Sequence, residues 1–289
     1  MSIRTDLALE RHAILKERAG GHVRVRKRQR GAAQVTEITV CGTEGARELG
    51  KPAGRYITLE VPEFSHDSEL LDGRLCAMTE ELRALLPKTG GVLVAGLGNE
   101  DITPDALGPR TAHGIFATRH IGQALAQKLG FPALREVSAV SFGVLGQTGL
   151  ESAEALAGLV RTIRPAAVVA VDALASRSLS RLGRTVQLTD TGINPGSGVG
   201  NCRARIDRTT LGVPVIAVGV PTVVDASTLI FDLTDGKGPK PDREDEAQAM
   251  MVTPREVDTL IQRASRFLSL ALNCALQPAL DPELLLHIV

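Results

Sequence analysis

From residue 91 onward the chain alternates short apolar runs with Gly/Pro-rich loops and amphipathic stretches, and this alternation constrains the fold more than any other feature. Strands are predicted for the apolar runs, which lie at 91–95, 136–143, 166–174, 183–188 and 214–220. Helices are predicted for the stretches with helical spacing, which lie at 109–128, 150–164, 223–233 and 252–276. Thr253 is the expected N-cap of the last helix. Strands that alternate with helices indicate an α/β fold with an open, mostly parallel sheet and helices on both faces.

Length and composition fit this fold as a single domain spanning 1–289. Hydrophobic residues make up 43% of the chain and aromatic residues only 2%, so the core must be built from Val, Leu, Ile and Ala. Such a core suits parallel strands that are buried on both faces. Lys plus Arg and Asp plus Glu both number 33, so the net charge provides no general attraction to nucleic acids or membranes.

Two polar segments are predicted to lie on the surface. The basic run RVRKRQR at 24–30 is interpreted as a solvated edge or linker, and a nucleic-acid patch is the alternative. The Pro/Gly-rich segment 234–250 is predicted to be a mobile loop.

The four Cys residues form no CxxC motif and indicate free thiols. Because the N-terminus also lacks an apolar signal-peptide core, the expected location is the cytoplasm.

Three acidic segments each follow a predicted strand, which is where parallel sheets bind their ligands. They are GLGNEDITPDALGP at 96–109, VDALASR at 171–177 and TDTGINPGSGVGN at 189–201. In the first segment, prolines and glycines form a stiff mount for Asp105, whose alternative role is a helix N-cap. Asp172 ends the most apolar strand, where an unpaired carboxylate is costly; the alternative there is a buried Asp that satisfies a loop backbone.

Asp105 and Asp172 are predicted to face one crevice, because both of their strands can lie near the sheet centre. Two carboxylates within about 5 Å of each other cannot both ionise easily, so one proton is shared between them. Such a pair can supply a base that activates water and an acid that protonates a leaving amine. The same pair, together with Asp101, could instead hold a divalent metal ion.

The other motif-like segments are less informative. Backbone N–H groups of GSGVGN, at 196–201, could bind an oxyanion or a substrate carbonyl, and a plain Gly-rich turn is the alternative. The triplet beginning at Asp190 matches the active-site triplet of pepsin-like proteases, but those β-barrel enzymes need two copies and this chain has one. GLGNED is neither GxGxxG nor a P-loop, so a nucleotide site fits poorly.

Several sequence motifs, which follow one another in the family order along almost the whole chain, resemble those of the spore germination protease family. Among them are RTDLALE (4–10), GLGNEDITPDALGP (96–109), VDALASR (171–177), DTGINPGSGVGN (190–201) and MVTPREVD (251–258). The resemblance implies a fold similar to that of hydrogenase-maturation peptidases and an atypical aspartic endopeptidase without a cofactor. It identifies Asp105 and Asp172 as the catalytic aspartates, and it implies that Asp190 is not a pepsin-type aspartate.

The same resemblance implies a substrate and a mode of activation. The substrates are small acid-soluble spore proteins, which the family cuts after an acidic residue in the cytoplasm of the developing or germinating spore. The family forms homotetramers and is made as a zymogen that removes its own N-terminal segment. RTDLALE is similar to the substrate sequence, so self-cleavage is predicted between Asp6 and Leu7, with release of the segment 1–6.

The cleft around the aspartate pair is expected to combine acidic, basic and glycine residues. The residues expected to line it are Asn99, Asp101, Arg177, Asp190, Gly198, Gly200 and Asn201. Arg177, Arg203 and Arg205 are candidates for binding the acidic substrate residue. Glu100 and Asp101 depart from the family pattern and are expected to raise the pKa values of the pair. A metal-dependent maturation-type peptidase and a catalytically silent binding protein remain alternatives.

Overall fold

The computed structural model describes residues 5–15, 21–31, 33–128, 130–131, 133–196, 203–234 and 250–288. The strands are β1 (Val23–Arg30), β2 (Ala33–Val40), β3 (Gly54–Glu60), β4 (Val92–Gly96), β5 (Val137–Ser141), β6 (Ala167–Ser176), β7 (Thr185–Thr189), β8 (Val215–Asp225) and β9 (Met251–Val252). The α-helices are α1 (Ala8–Leu15), α2 (Gly42–Leu49), α3 (Gly73–Leu85), α4 (Leu107–His113), α5 (Gln123–Lys128), α6 (Leu145–Thr148), α7 (Ser152–Ile163), α8 (Arg208–Leu211), α9 (Ala226–Leu233), α10 (Val257–Leu276) and α11 (Pro282–Leu286).

These strands form one sheet in the order β1-β2-β3-β7-β8-β6-β4-β5, with β9 paired to β8. Pairing is parallel among β5, β4, β6 and β8. It is antiparallel from β8 through β7 and β3 to β1, and also between β8 and β9. The α/β fold is therefore confirmed, and its parallel pairing is confined to one half of the sheet. The connection between β1 and β2 is too short for a parallel crossover, so this pair must be antiparallel.

Helices cover both faces of the parallel half, as the sequence predicts. On one face α3, α4 and α10 bury apolar side chains such as Leu107 and Phe267 against the sheet. On the other face α7 and α8 bury Leu156 and Leu211. Full burial of one such side chain contributes roughly 1.5–3 kcal/mol to stability. The strand β6, which is enclosed on both faces, is consequently a rigid support for any side chain at its end.

The prediction of a single helix over 109–128 is wrong. The segment is divided into α4 and α5 because the chain between them binds the start of β5. The backbone N–H groups of Thr118 and Arg119 both donate to the carbonyl oxygen of Val137, at 2.9 and 3.0 Å. These hydrogen bonds hold the intervening chain out of helical geometry.

Two predicted helices begin later than expected because strand pairing extends into them. Val223 and Val224 continue β8 alongside the end of β6, so α9 starts only at residue 226. Val252 pairs with Val224 in β9, which keeps the following chain extended. The last helix, α10, consequently has Glu256 as its N-cap, and the prediction of Thr253 as the cap is wrong.

The basic run 24–30 forms the edge strand β1, which confirms the solvated-edge interpretation. Arg28 forms ion pairs with Glu37 at 2.5 Å and with Glu81 at 2.6 Å. Arg30 also binds Glu81, at 2.7 Å, and the Glu81 side chain is only 1% exposed. Charged side chains along an edge strand oppose the addition of a further strand from another molecule.

Three of the predicted free thiols are confirmed, at Cys41, Cys76 and Cys274, and Cys202 lies outside the described residues. Residues 235–249 of the predicted loop also lie outside the described ranges. Within those ranges, no helix has both the length and the apolar character required to span a bilayer.

Candidate active site

Asp172 lies within β6, opposite Gly219 of β8, and does not end the strand as expected, because β6 continues to Ser176 in its pairing with β8. Alternate residues of β6 point to opposite faces, and Val171 belongs to the core beneath α3, α4 and α10. Asp172 therefore points to the other face, as does Ala170, which packs in the core under α7 and α8. The Asp172 side chain accepts a hydrogen bond at Oδ1 from the N–H of Ala173, at 2.9 Å.

The carboxyl group of Asp172 is buried beside other carboxyl groups. The residue is only 6% exposed. Burial first, and then the charges of Asp105 and Asp6, raise the pKa of Asp172 well above the ordinary value of an aspartate. The N–H of Ala173 and the charge of Arg203 oppose this shift only in part. Asp172 therefore tends to keep its proton.

Asp105 ends a short 3-10 turn, Thr103–Asp105, in the loop that follows β4. Its Oδ2 accepts a hydrogen bond from the backbone N–H of Asn99 at 2.6 Å. The N-cap position of α4 is Ala106, so the alternative interpretation of Asp105 as the helix cap is wrong. The loop is attached to β8 by Thr222, whose hydroxyl donates a hydrogen bond to the carbonyl of Pro104 at 2.8 Å.

Two glycines allow this loop to fold back on itself. Gly98 has a φ of +119°, and a Cβ atom there would lie 2.1 Å from the carbonyl oxygen of Asp105. Gly108 lies against β4 and β6, and a Cβ atom there would lie 2.2 Å from the carbonyl oxygen of Leu97. Any side chain at either position would displace the loop. The segment GLGNEDITPDALGP is thus a close-packed support for Asp105.

Asp105 and Asp172 line one cavity of about 340 Å³, together with Asp6 and Arg203. Burial raises the pKa of Asp105, while the N–H of Asn99 and the charge of Arg203 favour its ionised form. Two carboxyls with raised pKa values in one cleft match the pairing that the sequence predicts, and they can serve as a base and an acid.

The N-terminal segment lies against the end of β6, beside this pair. The N–H of Asp6 donates to the carbonyl of Ala175 at 2.9 Å, and the N–H of Ala175 donates to Oδ2 of Asp6 at 2.9 Å. Leu7 and Ala8 are completely buried. The bond between Asp6 and Leu7, where self-cleavage is predicted, therefore lies close to the candidate catalytic carboxyls.

Glu10 fixes the segment further along the chain. Its carboxylate accepts hydrogen bonds from the N–H groups of Arg177, at 2.7 Å, and Ser178, at 2.9 Å. The guanidinium of Arg177 lies over the ring of Phe231, 5.9 Å from its centroid. Arg177, an expected cleft residue, thus contributes its backbone to the attachment of α1 and its side chain to a contact with α9.

Asn99 and Asp101 are joined to α6 by Gln147. The Gln147 side-chain nitrogen donates to Oδ1 of Asn99 at 2.7 Å and to Oδ2 of Asp101 at 2.8 Å. Glu100 lies 3.5 Å from the ring of His113. The expectation that Glu100 and Asp101 raise the pKa values of the pair is wrong, because the shifts arise from burial and from the charges of Asp105 and Asp6.

Asp190 lies away from the pair, at the junction of β3 and β7. Its Oδ1 accepts a hydrogen bond from the N–H of Arg55 at 2.8 Å, which links the two strands where they pair. Its expected place in the cleft is therefore corrected: the carboxylate supports the antiparallel half of the sheet. The other expected cleft residues, Gly198, Gly200 and Asn201, lie outside the described residues.

A second cavity, of about 430 Å³, adjoins the first. Asp6 and Asp172 line both, and the second is also lined by the basic residues Arg11, Lys51 and Arg205. Burial lowers the pKa of Lys51, and the nearby Asp6 opposes that shift. Asp6 thus lies between the carboxyl pair and a basic cavity.

Lys51 and Gln187 were not predicted as site residues. The side-chain amide of Gln187 binds the carbonyl of Asp6 and the N–H of Ala8, on either side of Leu7. The sequence TVQLT of β7 alternates polar and apolar residues, so Gln187 does not stand out within it. Lys51 lies in a loop segment and carries no sequence signal either.

The ligands that a metal site would require do not gather around the pair. Among the described residues no group of three or more His, Cys, Asp or Glu side chains could hold a metal ion. Asp101, the third ligand of the metal-dependent alternative, binds Gln147 instead.

Comparisons with known proteins identify the family of this chain. The family model described as germination protease matches residues 5–236. The germination protease of Caldanaerobacter subterraneus subsp. tengcongensis is 40% identical over 314 aligned residues, which cover 98% of this chain and 97% of that protein. The germination protease of Clostridium tetani is 39% identical over 317 aligned residues, which cover 98% of this chain and 98% of that protein. A [NiFe] hydrogenase maturation protease, HycI from Thermococcus kodakarensis, is a structural match with a TM-score of 0.37 and 16% identity, covering 72% of this chain and 97% of that one. The chain belongs to the germination protease family.

Proposed function

We propose that this chain is an endopeptidase that starts the degradation of small acid-soluble spore proteins during germination, and that it cuts after an acidic residue. The observation that carries the proposal is the shared cavity of Asp105, Asp172 and Asp6. Two carboxyls with raised pKa values lie there beside a peptide segment that resembles the substrate. The reaction takes place in the cytoplasm of the spore.

In the proposed mechanism Asp105 is the base and Asp172 is the acid. Asp105 accepts a hydrogen bond from the N–H of Asn99, and this bond favours its carboxylate form. Deep burial, in contrast, favours the protonated form of Asp172. Asp105 takes a proton from water, and the water oxygen adds to the peptide carbonyl carbon. The carbon–nitrogen bond then breaks, and Asp172 gives its proton to the leaving nitrogen.

The same chemistry accounts for self-processing. The chain is made as a zymogen in which Thr5 and Asp6 occupy the place of the substrate, and the bond from Asp6 to Leu7 is the one cut. Support comes from the hydrogen bonds that hold Asp6 to Ala175 beside Asp172. Release of the segment 1–6 opens the cavity to a substrate chain.

The preference for an acidic residue is attributed to Lys51. Asp6 lies at the entrance of the cavity that holds Lys51, and its charge favours the protonated ammonium form of that lysine. A glutamate or aspartate of the substrate, in the place of Asp6, meets the same cation.

The test is incubation of the purified chain with an acid-soluble spore protein, followed by mass analysis of the products. The expected products end in Glu or Asp, and the chain itself acquires Leu7 as its first residue. Products that end in other residues, or none at all, contradict the proposal. Addition of a chelator in a parallel sample separates this mechanism from the metal-dependent alternative, because the proposed carboxyl pair remains active.

A further inference from the structure

The side chain of Gln187, in β7, binds the carbonyl of the Asp6–Leu7 peptide bond and the N–H of the next peptide bond, between Leu7 and Ala8. Its Nε2 donates to the carbonyl oxygen of Asp6 at 3.1 Å, and its Oε1 accepts from the N–H of Ala8 at 2.8 Å. Gln187 is only 6% exposed, so these contacts are largely shielded from bulk water. Its amide is therefore a direct hydrogen-bond donor to the carbonyl at which cleavage is proposed.

The sheet places Gln187 on the same side as Asp172. Gln187 pairs with Gly219, and Gly219 pairs with Asp172, so the three residues form one row across β7, β8 and β6. Residues in one row point to the same face, and with strands about 4.8 Å apart the outer two have Cα atoms roughly 10 Å apart. Gly219 adds no side chain between them. The segment at Asp6 thus contacts the Gln187 amide while its charge acts on Asp172.

We infer that Gln187 is a further catalytic residue, whose side-chain N–H stabilises the oxyanion that forms on the scissile carbonyl. This inference rests on the proposed function, since it concerns the same bond. As water adds to the carbonyl carbon, its proton passes to Asp105 and negative charge develops on the carbonyl oxygen. A fixed donor at that oxygen strengthens as the charge grows. Asp172 then remains available to protonate the leaving nitrogen of Leu7.

The other half of the bond is also held. The N–H of Leu7 donates to the hydroxyl oxygen of Thr5 at 3.0 Å, and that hydroxyl donates to Glu10. The carbonyl and the nitrogen of the scissile bond therefore each have a defined partner. A substrate chain that replaces the segment 1–6 meets the same Gln187 amide, because Gln187 belongs to the sheet and remains in place.

Two substitutions separate donation to the carbonyl from simple attachment of the segment. Gln187→Met removes both contacts at similar length. Gln187→Glu keeps the acceptor for the N–H of Ala8 but lacks the donor when it is ionised. Thr185→Val is the matched control, because Thr185 is two residues away on the same face of β7 and its hydroxyl donates to the carbonyl of Arg181. Thermal unfolding of each variant verifies that it is folded.

The measurement is kcat and KM for a Thr-Glu-Ile-Ala peptide, together with the rate of self-cleavage. Both Gln187 variants are expected to lose about 10²–10³-fold in kcat near neutral pH, with KM changed by less than about threefold, as for other oxyanion donors. The kcat of Gln187→Glu relative to wild type should rise as the pH falls toward about 5, because a protonated carboxyl is again a donor. Thr185→Val should keep the wild-type kcat.

Other outcomes decide against the inference. If either Gln187 variant retains a wild-type kcat, or if the whole loss lies in KM, Gln187 only attaches the chain and the inference is overturned. A kcat ratio of Gln187→Glu to wild type that does not change with pH also overturns it. If the wild-type chain cleaves neither itself nor the peptide, the proposed function itself fails, and that result is distinct from active variants of an active enzyme.

Discussion

Asp172 of β6 and Gln187 of β7 lie in one row of the sheet, on either side of Gly219. The row brings an acid and an amide donor to the same face, although they belong to two strands that are separated in the sheet by β8. The N-terminal segment contacts this row through Asp6, whose carbonyl binds Gln187. Asp105, the proposed base, shares a cavity with Asp172 and Asp6, which it reaches from the loop after β4. Sheet register therefore determines the composition of the candidate site.

Replacement of Asp172 should change how stability depends on pH. Its raised pKa means that the folded state binds a proton that the unfolded chain releases above about pH 3.9. Its contribution to the free energy of unfolding is thus fully present below that pH and falls as the pH rises toward the folded pKa, by about 1.4 kcal/mol per unit of upward shift. The Asp172→Asn variant has no ionisable group at this position, so its free energy of unfolding does not fall with pH for this reason. In urea unfolding, the stability of the variant relative to wild type should rise as the pH increases above about 4; a difference that does not change with pH would contradict the raised pKa.

A methyl group at Gly98 should displace Asp105. The φ of +119° disfavours any other residue, and the new Cβ would lie 2.1 Å from the carbonyl oxygen of Asp105. Gly98→Ala is expected to lower kcat by about 10²-fold, the typical cost of a misplacement of about 1 Å. Gly122→Ala is the control, since a Cβ atom there meets nothing within 4 Å. Equal activity of the two variants would show that the loop does not require Gly98.

Lys51 should determine the preference for an acidic residue. Lys51→Met removes the cation near Asp6 and is expected to raise KM for a Thr-Glu-Ile-Ala peptide about tenfold, equivalent to about 1.4 kcal/mol. KM for a Thr-Gln-Ile-Ala peptide should change little, because glutamine carries no charge. Lys88→Met, at an exposed lysine, serves as the control. The same rise in KM for both peptides would refute a charge-specific role.

Glu81 should matter more to stability than its neighbour Glu80. The Glu81 side chain is 1% exposed and binds both Arg28 and Arg30. Glu81→Ala leaves these arginines without that partner and should cost about 3 kcal/mol in chemical denaturation. Glu80→Ala removes an ion pair whose glutamate is 53% exposed, and should cost less than about 1 kcal/mol. Similar losses from the two substitutions would argue against a buried network at this edge.

Much of the parallel half could be predicted from sequence. Unbroken apolar runs identify β4, β6 and β8, and the position of Asp105 and Asp172 after two such runs predicts their common cavity. The rule that ligands bind at the carboxyl ends of parallel strands supplies the link. Here local pattern and long-range arrangement agree, so no knowledge of register is needed.

The remaining features depend on contacts between distant parts of the chain. The break between α4 and α5 arises from backbone hydrogen bonds to Val137, for which the sequence carries no pattern. The extension of β8 depends on its pairing with the end of β6. Gln187 is one of three polar residues in the alternating sequence of β7, and its position opposite Gly219 follows only from the register of β7 on β8. The hydrogen bond between Asp6 and Ala175 likewise joins residues that are far apart in the sequence.

The most direct test of the account compares peptide hydrolysis by wild type, Asp105→Asn and Asp172→Asn. Each variant removes one carboxyl of the pair and keeps its shape, and folding is verified by thermal unfolding. Loss of a general acid or base lowers rates by about 10²–10⁴-fold, so each variant should lose at least about 10²-fold in kcat on a Thr-Glu-Ile-Ala peptide. It should also retain an uncut Asp6–Leu7 bond. A variant that is folded and hydrolyses the peptide at a rate close to wild type would contradict the carboxyl pair as the catalytic centre.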